Sequence, residues 1–248
     1  MQTSIKISLK EVIRRCKRSN SAANDRLHWF SSKFSIYVSF LFLRLGFSAD
    51  FVTAIFFILG LVGAILISYD SVIFTFVAYV FWRLHIIVDM SDGDVARYNN
   101  SFSIRGAYWD AVIHSILNPL YFMSVAYSFF IQFENSSFLV IGGLASLSMS
   151  VLLGVKNNYY KAKFFNKEVF NSVANDNSVN SSVLYKLFFI SSEILGMEGF
   201  IFLTIVVRIM DVNCYAICLM ILYLVANIMI SISKFYSLSY YGTYRTKN

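Results

Sequence analysis

Six stretches of this chain are long and apolar enough to cross a lipid bilayer, or nearly so: 50–69, 71–91, 107–131, 137–155, 197–210 and 212–233. Crossing the hydrocarbon core as a helix takes about 20 mostly apolar residues. Few other folds can hold that much continuous apolar chain. Only 14% of the residues are charged, against about 25% in an ordinary soluble domain, so little of the chain can be solvated surface. One proline and 18% aromatic residues suit long helices with ring-rich ends. These numbers exclude a disordered chain, a secreted disulfide scaffold and a soluble nucleic-acid binder. The expectation is an all-α integral membrane protein of six transmembrane helices, forming a single domain over 1–248 with its membrane core at 50–233 and a tail at 234–248. The fifth span is the shortest, with Glu193 before it and Glu198 near its start.

Residues 1–49 differ from this pattern. Between 22 and 47 polar and aromatic residues mix (Asn24, Asp25, Arg26, Trp29, Phe30, Phe34), as in an amphipathic helix lying in the interface before the first span. A seventh span is the competing reading, since 34–47 is quite apolar; Lys33 and Arg44 favour the interfacial one. The first 20 residues carry six basic groups and no apolar core, so they do not read as a signal peptide. Cys16, Cys214 and Cys218 give no disulfide framework.

Of the 21 Lys and Arg residues, 19 fall on one side of such a layout, nine of them within 1–49. Arg208 lies opposite and Arg83 within the second span. Lys and Arg favour the cytoplasmic side, so both termini, the 92–106 connection and the polar loop at 171–182 are expected there. The net charge of +7 is then a topology signal with some attraction to anionic headgroups, and needs no nucleic-acid partner.

Ionisable residues in membrane spans are rare and mark functional sites by default. Here they concentrate in the second and third spans. Asp89 and Asp92 share a helix face, as do Asp110 and His114 on the next helix. A short connection through Asn99, Asn100 and Ser101 would bring the two faces together. Three carboxylates and an imidazole so close would repel or shift one another's protonation unless cations were present. Hard oxygen ligands point to Mg²⁺ or Mn²⁺. Gly93 and Gly106 permit close backbone approach, and Arg97 offers a fork for phosphate.

Read as a string, Asp89-x2-Asp92-Gly93-x2-Ala96-Arg97-x8-Gly106-x3-Asp110-x3-His114 resembles the signature of the CDP-alcohol phosphotransferases, D-x2-D-G-x2-A-R-x8-G-x3-D-x3-D, at every spacing. The resemblance covers residues 46–114 and is architectural beyond them. At the start of the first span the family's Pro-Asn-x2-Thr is replaced by Ala49-Asp50-x2-Thr53, which keeps the threonine. The resemblance implies attack of a hydroxyl on the β-phosphate of a CDP-linked donor, with release of CMP. It implies two divalent cations, Mg²⁺ or Mn²⁺, held by Asp89, Asp92 and Asp110 with His114. Gly93, Ala96, Arg97, Gly106 and Thr53 would form the substrate-binding surface. The donor would be CDP-diacylglycerol or a small CDP-alcohol, and the acceptor a lipid, alcohol phosphate or glycan hydroxyl, among membrane lipids and in a homodimer.

The departure from the pattern is His114, which stands where the family has its last aspartate. Imidazole is a competent general base, with an ordinary pKa near 6.5, and a ligand better suited to Mn²⁺ than to Mg²⁺. His114 therefore reads first as the catalytic general base, and otherwise as metal ligand or as the mark of a site that has lost activity. An ion- or proton-coupled transporter is the alternative from another class, and a nucleotide-binding relative without catalysis is a second. Asp94 has no place in the motif and reads as solvated or facing the lipid surface. His85 reads as a hydrogen-bonded core histidine, and Asn118-Pro119 as a kink in the third span.

Overall fold

Apolar runs this long, interrupted by a single proline, leave the backbone little alternative to helix. The structure, a computed structural model, describes residues 7–16, 29–101, 103–165 and 196–244. Among these are eight helices and no strand: α1 Leu9–Arg15, α2 Trp29–Arg44, α3 Ala49–Ile67, α4 Val72–Asn99, α5 Ile104–Phe133, α6 Ser137–Phe165, α7 Met197–Met210 and α8 Asn213–Tyr244. Five stretches are long and apolar enough to cross a membrane: α3, α4, α5, 137–155 of α6 and 213–233 of α8. Over the described residues the protein is all-helical, and its five apolar helices make it a multi-pass membrane protein. Its α7 has 14 residues, about 21 Å at 1.5 Å per residue, which is short of a ~30 Å hydrocarbon core. The loop read at 171–182 and residues 22–28 of the pre-span helix lie outside the described residues.

The chain forms two compact units, 1–66 with 73–114, and 67–72 with 115–248. In the first, α2 ends in a Schellman turn that starts the first long helix cleanly. Gly46 takes φ +74°; its N–H reaches the Leu43 carbonyl, and the Phe47 N–H reaches that of Phe42. The rings of Phe42 and Phe47 stack at 5.7 Å, the hydrophobic contact that usually accompanies this cap. The face of α2 toward the unit mixes serines with the buried Phe42 and Leu43. Ser31, Ser35 and Ser39, four apart, are fully buried, whereas Phe34, Tyr37 and Leu41 on other faces are exposed. The short α1, capped by Ser8 at the Glu11 N–H, buries Val12 and Cys16.

In the second unit, Phe122 of α5, Phe200 of α7 and Tyr223 of α8 form a buried ring cluster, with centroids 4.4 Å and 4.8 Å from Phe200. Pro119 sits inside α5, which is continuous through it, and the Pro119 carbonyl accepts from Ser146 Oγ at 2.8 Å. Arg208 is interior, 3% exposed. Its guanidinium donates to Asp70 at 2.7 Å and to Ser128 Oγ at 2.6 Å and lies over the Phe129 ring. It is a packed ion pair rather than a surface charge.

Helices α5 and α6 approach closely at Gly142 of α6. A Cβ at that position would collide with Ala126 Cβ, whereas one at Gly143 would meet nothing within 4 Å. Ala126 Cβ is fixed to its helix and cannot yield. Gly142→Ala should therefore cost about 1–3 kcal/mol through overpacking, and Gly143→Ala should be neutral or stabilising through helix propensity. Thermal unfolding of the two variants in detergent checks this; equal midpoints would contradict the packing.

Candidate metal and anion site

The ionisable residues of the first unit are brought together by how α4 ends. Asn100 adopts φ 50°, the left-handed region that asparagine tolerates better than most residues. The Ser101 N–H then reaches the Ala96 carbonyl at 2.9 Å, and the Asn100 N–H reaches that of Arg97. This second Schellman turn stops α4 just past Arg97 and lets α5 begin at Ile104. Ser103 Oγ accepts the Gly106 N–H at 2.9 Å, satisfying one of the open donors of the first turn of α5. Arg105 of that turn reaches back to Asp50 at the start of α3.

On the facing surfaces, Asp89 of α4 meets Asp110 and His114 of α5. His114 Nε2 lies 3.2 Å from Asp110 Oδ1 and 3.6 Å from Asp89 Oδ2. One donor atom from each residue falls within 4.8 Å of the others. Opposite ligands of a single Mg²⁺ stand about 4 Å apart, twice its ~2.1 Å bond. Two carboxylates and an imidazole at this separation can hold one divalent ion after small side-chain adjustments, and the nitrogen donor suits Mn²⁺ better than Mg²⁺.

Asp92, the fourth residue expected to bind metal, lies beside this group, within electrostatic reach of Asp89 and Asp110. Its Oδ2 lies 2.8 Å from Thr53 Oγ1, which also lies 3.0 Å from the Ala49 carbonyl. The single hydroxyl proton is thus shared between two acceptors. Thr53, expected on the substrate surface, is 8% exposed and acts on Asp92. Gly93 lies beneath Arg97, where an added Cβ would stand 3.5 Å from Nη2. Ala96 and Gly106 are half-buried on α4 and α5. Of the residues picked out by sequence, the structure gathers Asp89, Asp110 and His114 into one cluster, sets Asp92 beside it in a hydrogen bond with Thr53, and places Arg97 over Gly93.

Asp94 differs from the sequence reading. It is neither solvated nor lipid-facing but fully buried, because Arg97 Nη2 sits 2.5 Å from its Oδ1 and the hydroxyls of Ser35 and Ser39 lie 3.3 Å from its Oδ2. Cys16 Sγ donates to its backbone carbonyl, and Ser91 Oγ, one turn earlier, donates to the Ser35 carbonyl. Sequence reasoning missed these partners. The signal available was the four-residue spacing of Ser31, Ser35 and Ser39. His85 is a core histidine as expected: fully buried, it donates from Nδ1 to the Phe56 carbonyl at 2.8 Å and stacks on Trp82.

No family model and no curated protein matches this chain.

Proposed function

We propose that the protein is a membrane-embedded phosphotransferase that moves a phospho-alcohol or phosphatidyl group from a CDP-linked donor to a hydroxyl acceptor and releases CMP. The observation that carries this reading is the meeting of Asp89 with Asp110 and His114 across two apolar helices, at the spacings of the resembled motif. Carboxylates are expensive on such helices, and three donors converging on one point suit a divalent cation. A bound cation, or a pair of them, would neutralise the diphosphate of the donor.

The chain's own residues divide the remaining work. The acceptor hydroxyl oxygen bonds to the β-phosphorus as its O–H bond breaks and the proton is lost to solvent, the bond from that phosphorus to the bridging oxygen breaks, and CMP leaves with the electron pair. Arg97, with 29% of its side chain exposed, offers its fork to the phosphates. His114 is the third donor of the cluster, a role favoured over that of general base by the approach of its Nε2 to both carboxylates. Asp89→Asn and Asp110→Asn should abolish metal-dependent CMP release by purified protein. His114→Ala should be restored by raising the metal concentration. A loss of about 10²–10⁴ that metal does not restore would assign it as the base instead. Near wild-type CMP release in both Asp→Asn variants, or none in the wild type, would overturn the reading and leave an ion-coupled transporter as the alternative.

In the finer architecture we propose, α7 is the fifth and shortest of six spans, α2 lies in the interface, and the site and both termini face the cytoplasm. The support is the skewed Lys and Arg distribution. It is strengthened by Arg208, which is packed inside the protein and so does not weigh as a surface charge on the opposite side. A cysteine introduced near residue 175 should react with membrane-impermeant reagents only in opened cells or inverted vesicles. Labelling in intact cells would reverse the orientation.

A further inference from the structure

We propose that Asp94 is a positioning residue: it holds the Arg97 guanidinium over Gly93 in the orientation that receives an anionic ligand, and α2 anchors the carboxylate that does so. The identity of that ligand, the phosphates of a cytidine nucleotide, rests on the phosphotransferase reading above.

The pair is unequal. The side chain of Asp94 is 1% exposed and that of Arg97 is 29% exposed. An exposed i,i+3 pair adds little to a helix, and sealing a carboxylate away from water is costly unless its oxygens are satisfied. Here they are satisfied, Oδ1 by Arg97 and Oδ2 by Ser35 and Ser39. Each hydroxyl proton is shared with a carbonyl of α2, that of Ser32 for Ser35 and that of Ser35 for Ser39. A buried, fixed carboxylate thus grips an arginine that still reaches the surface.

Two further features show that the fork is oriented rather than merely neutralised. A Cβ at residue 93 would lie 3.5 Å from Nη2 and 3.6 Å from Nη1, in ordinary van der Waals contact, so both terminal nitrogens lie over Gly93. Arg97 Nε is buried with no hydrogen-bond partner, an unused donor on the same planar group. Because the guanidinium donors have fixed relative directions, pinning Nη2 fixes where the others point. Asp94 acts on the guanidinium through its contact with Arg97, so its effect should fall on anion binding.

The test measures binding of CMP in the presence of Mn²⁺, and of Mn²⁺ alone, to the purified full-length protein. The variants are Asp94→Asn, the double variant Ser35→Ala/Ser39→Ala, and Arg97→Lys with and without Asp94→Asn. Asp94→Asn should weaken CMP binding by about ten- to a hundredfold, the worth of a charged hydrogen bond. The serine variant should weaken it severalfold, and Mn²⁺ affinity alone should be unchanged in both. On the Arg97→Lys background, Asp94→Asn should add little, since its effect passes through Arg97. Should Asp94→Asn fail to fold, the serine variant decides. Unchanged CMP affinity in a folded variant overturns the proposal. So does a parallel loss of CMP affinity, Mn²⁺ affinity and thermal stability, which would mark a structural role. A wild-type protein that binds Mn²⁺ but not CMP overturns the phosphotransferase reading, and this ligand assignment with it.

Discussion

A charge on an apolar helix must be compensated by groups within hydrogen-bond reach, because neither lipid nor a packed core will solvate it. Much of the polar architecture of this protein follows from that constraint. Asp94 is fully buried and draws in Arg97 from its own helix and two serines from α2. Arg208 is 3% exposed and draws in Asp70 and Ser128. Each set ties together segments far apart in sequence, so the cost of burial becomes specificity of packing. Asp89, Asp110 and His114 differ. They lean on one another, two acids and one base at a single point, and this imbalance of donors and acceptors is what a cation would correct.

The helices that carry the site are held by equally specific backbone devices. Two Schellman turns, at Gly46 and Asn100, terminate α2 and α4. The first sets where α3 begins and hence where Thr53 meets Asp92. The second stops α4 one residue short of Asn100, so that α5 can start at Ile104 and turn Asp110 and His114 toward Asp89. The α2 helix behaves as part of this scaffold. Its serine stripe is buried against α4, and its aromatic residues Phe34 and Tyr37 face outward.

Much of this was legible in the sequence, and the reason is physical. Apolar windows fix helices because length and hydropathy are local properties, and the windows at 50–69, 71–91, 107–131 and 137–155 all lie largely or wholly on observed helices. The spacings of Asp89, Asp110 and His114 were informative because helical periodicity alone puts Asp110 and His114 on one face, and a short connection brings Asp89 opposite. What could not be read was partnership across long separations. Nothing local says that Ser35 and Ser39 sit on an aspartate more than 50 residues away, so Asp94 looked like a spare surface charge. Asp92 looked equivalent to Asp89 by spacing, yet Thr53 takes it into a different contact. Arg208 looked like a surface charge because its counterion, Asp70, lies in a turn 138 residues earlier. The contact of Gly142 with Ala126 is of the same kind.

The central claim is that Asp89, Asp110 and His114 form one cation site, and pulsed electron paramagnetic resonance of the Mn²⁺-loaded protein tests it most directly. Coupling of the manganese electron spin to an imidazole nitrogen should appear in the wild type and vanish in His114→Ala, and Asp89→Asn and Asp110→Asn should weaken Mn²⁺ binding. Bound Mn²⁺ with no nitrogen coupling in the wild type, or the same coupling in His114→Ala, would contradict the account.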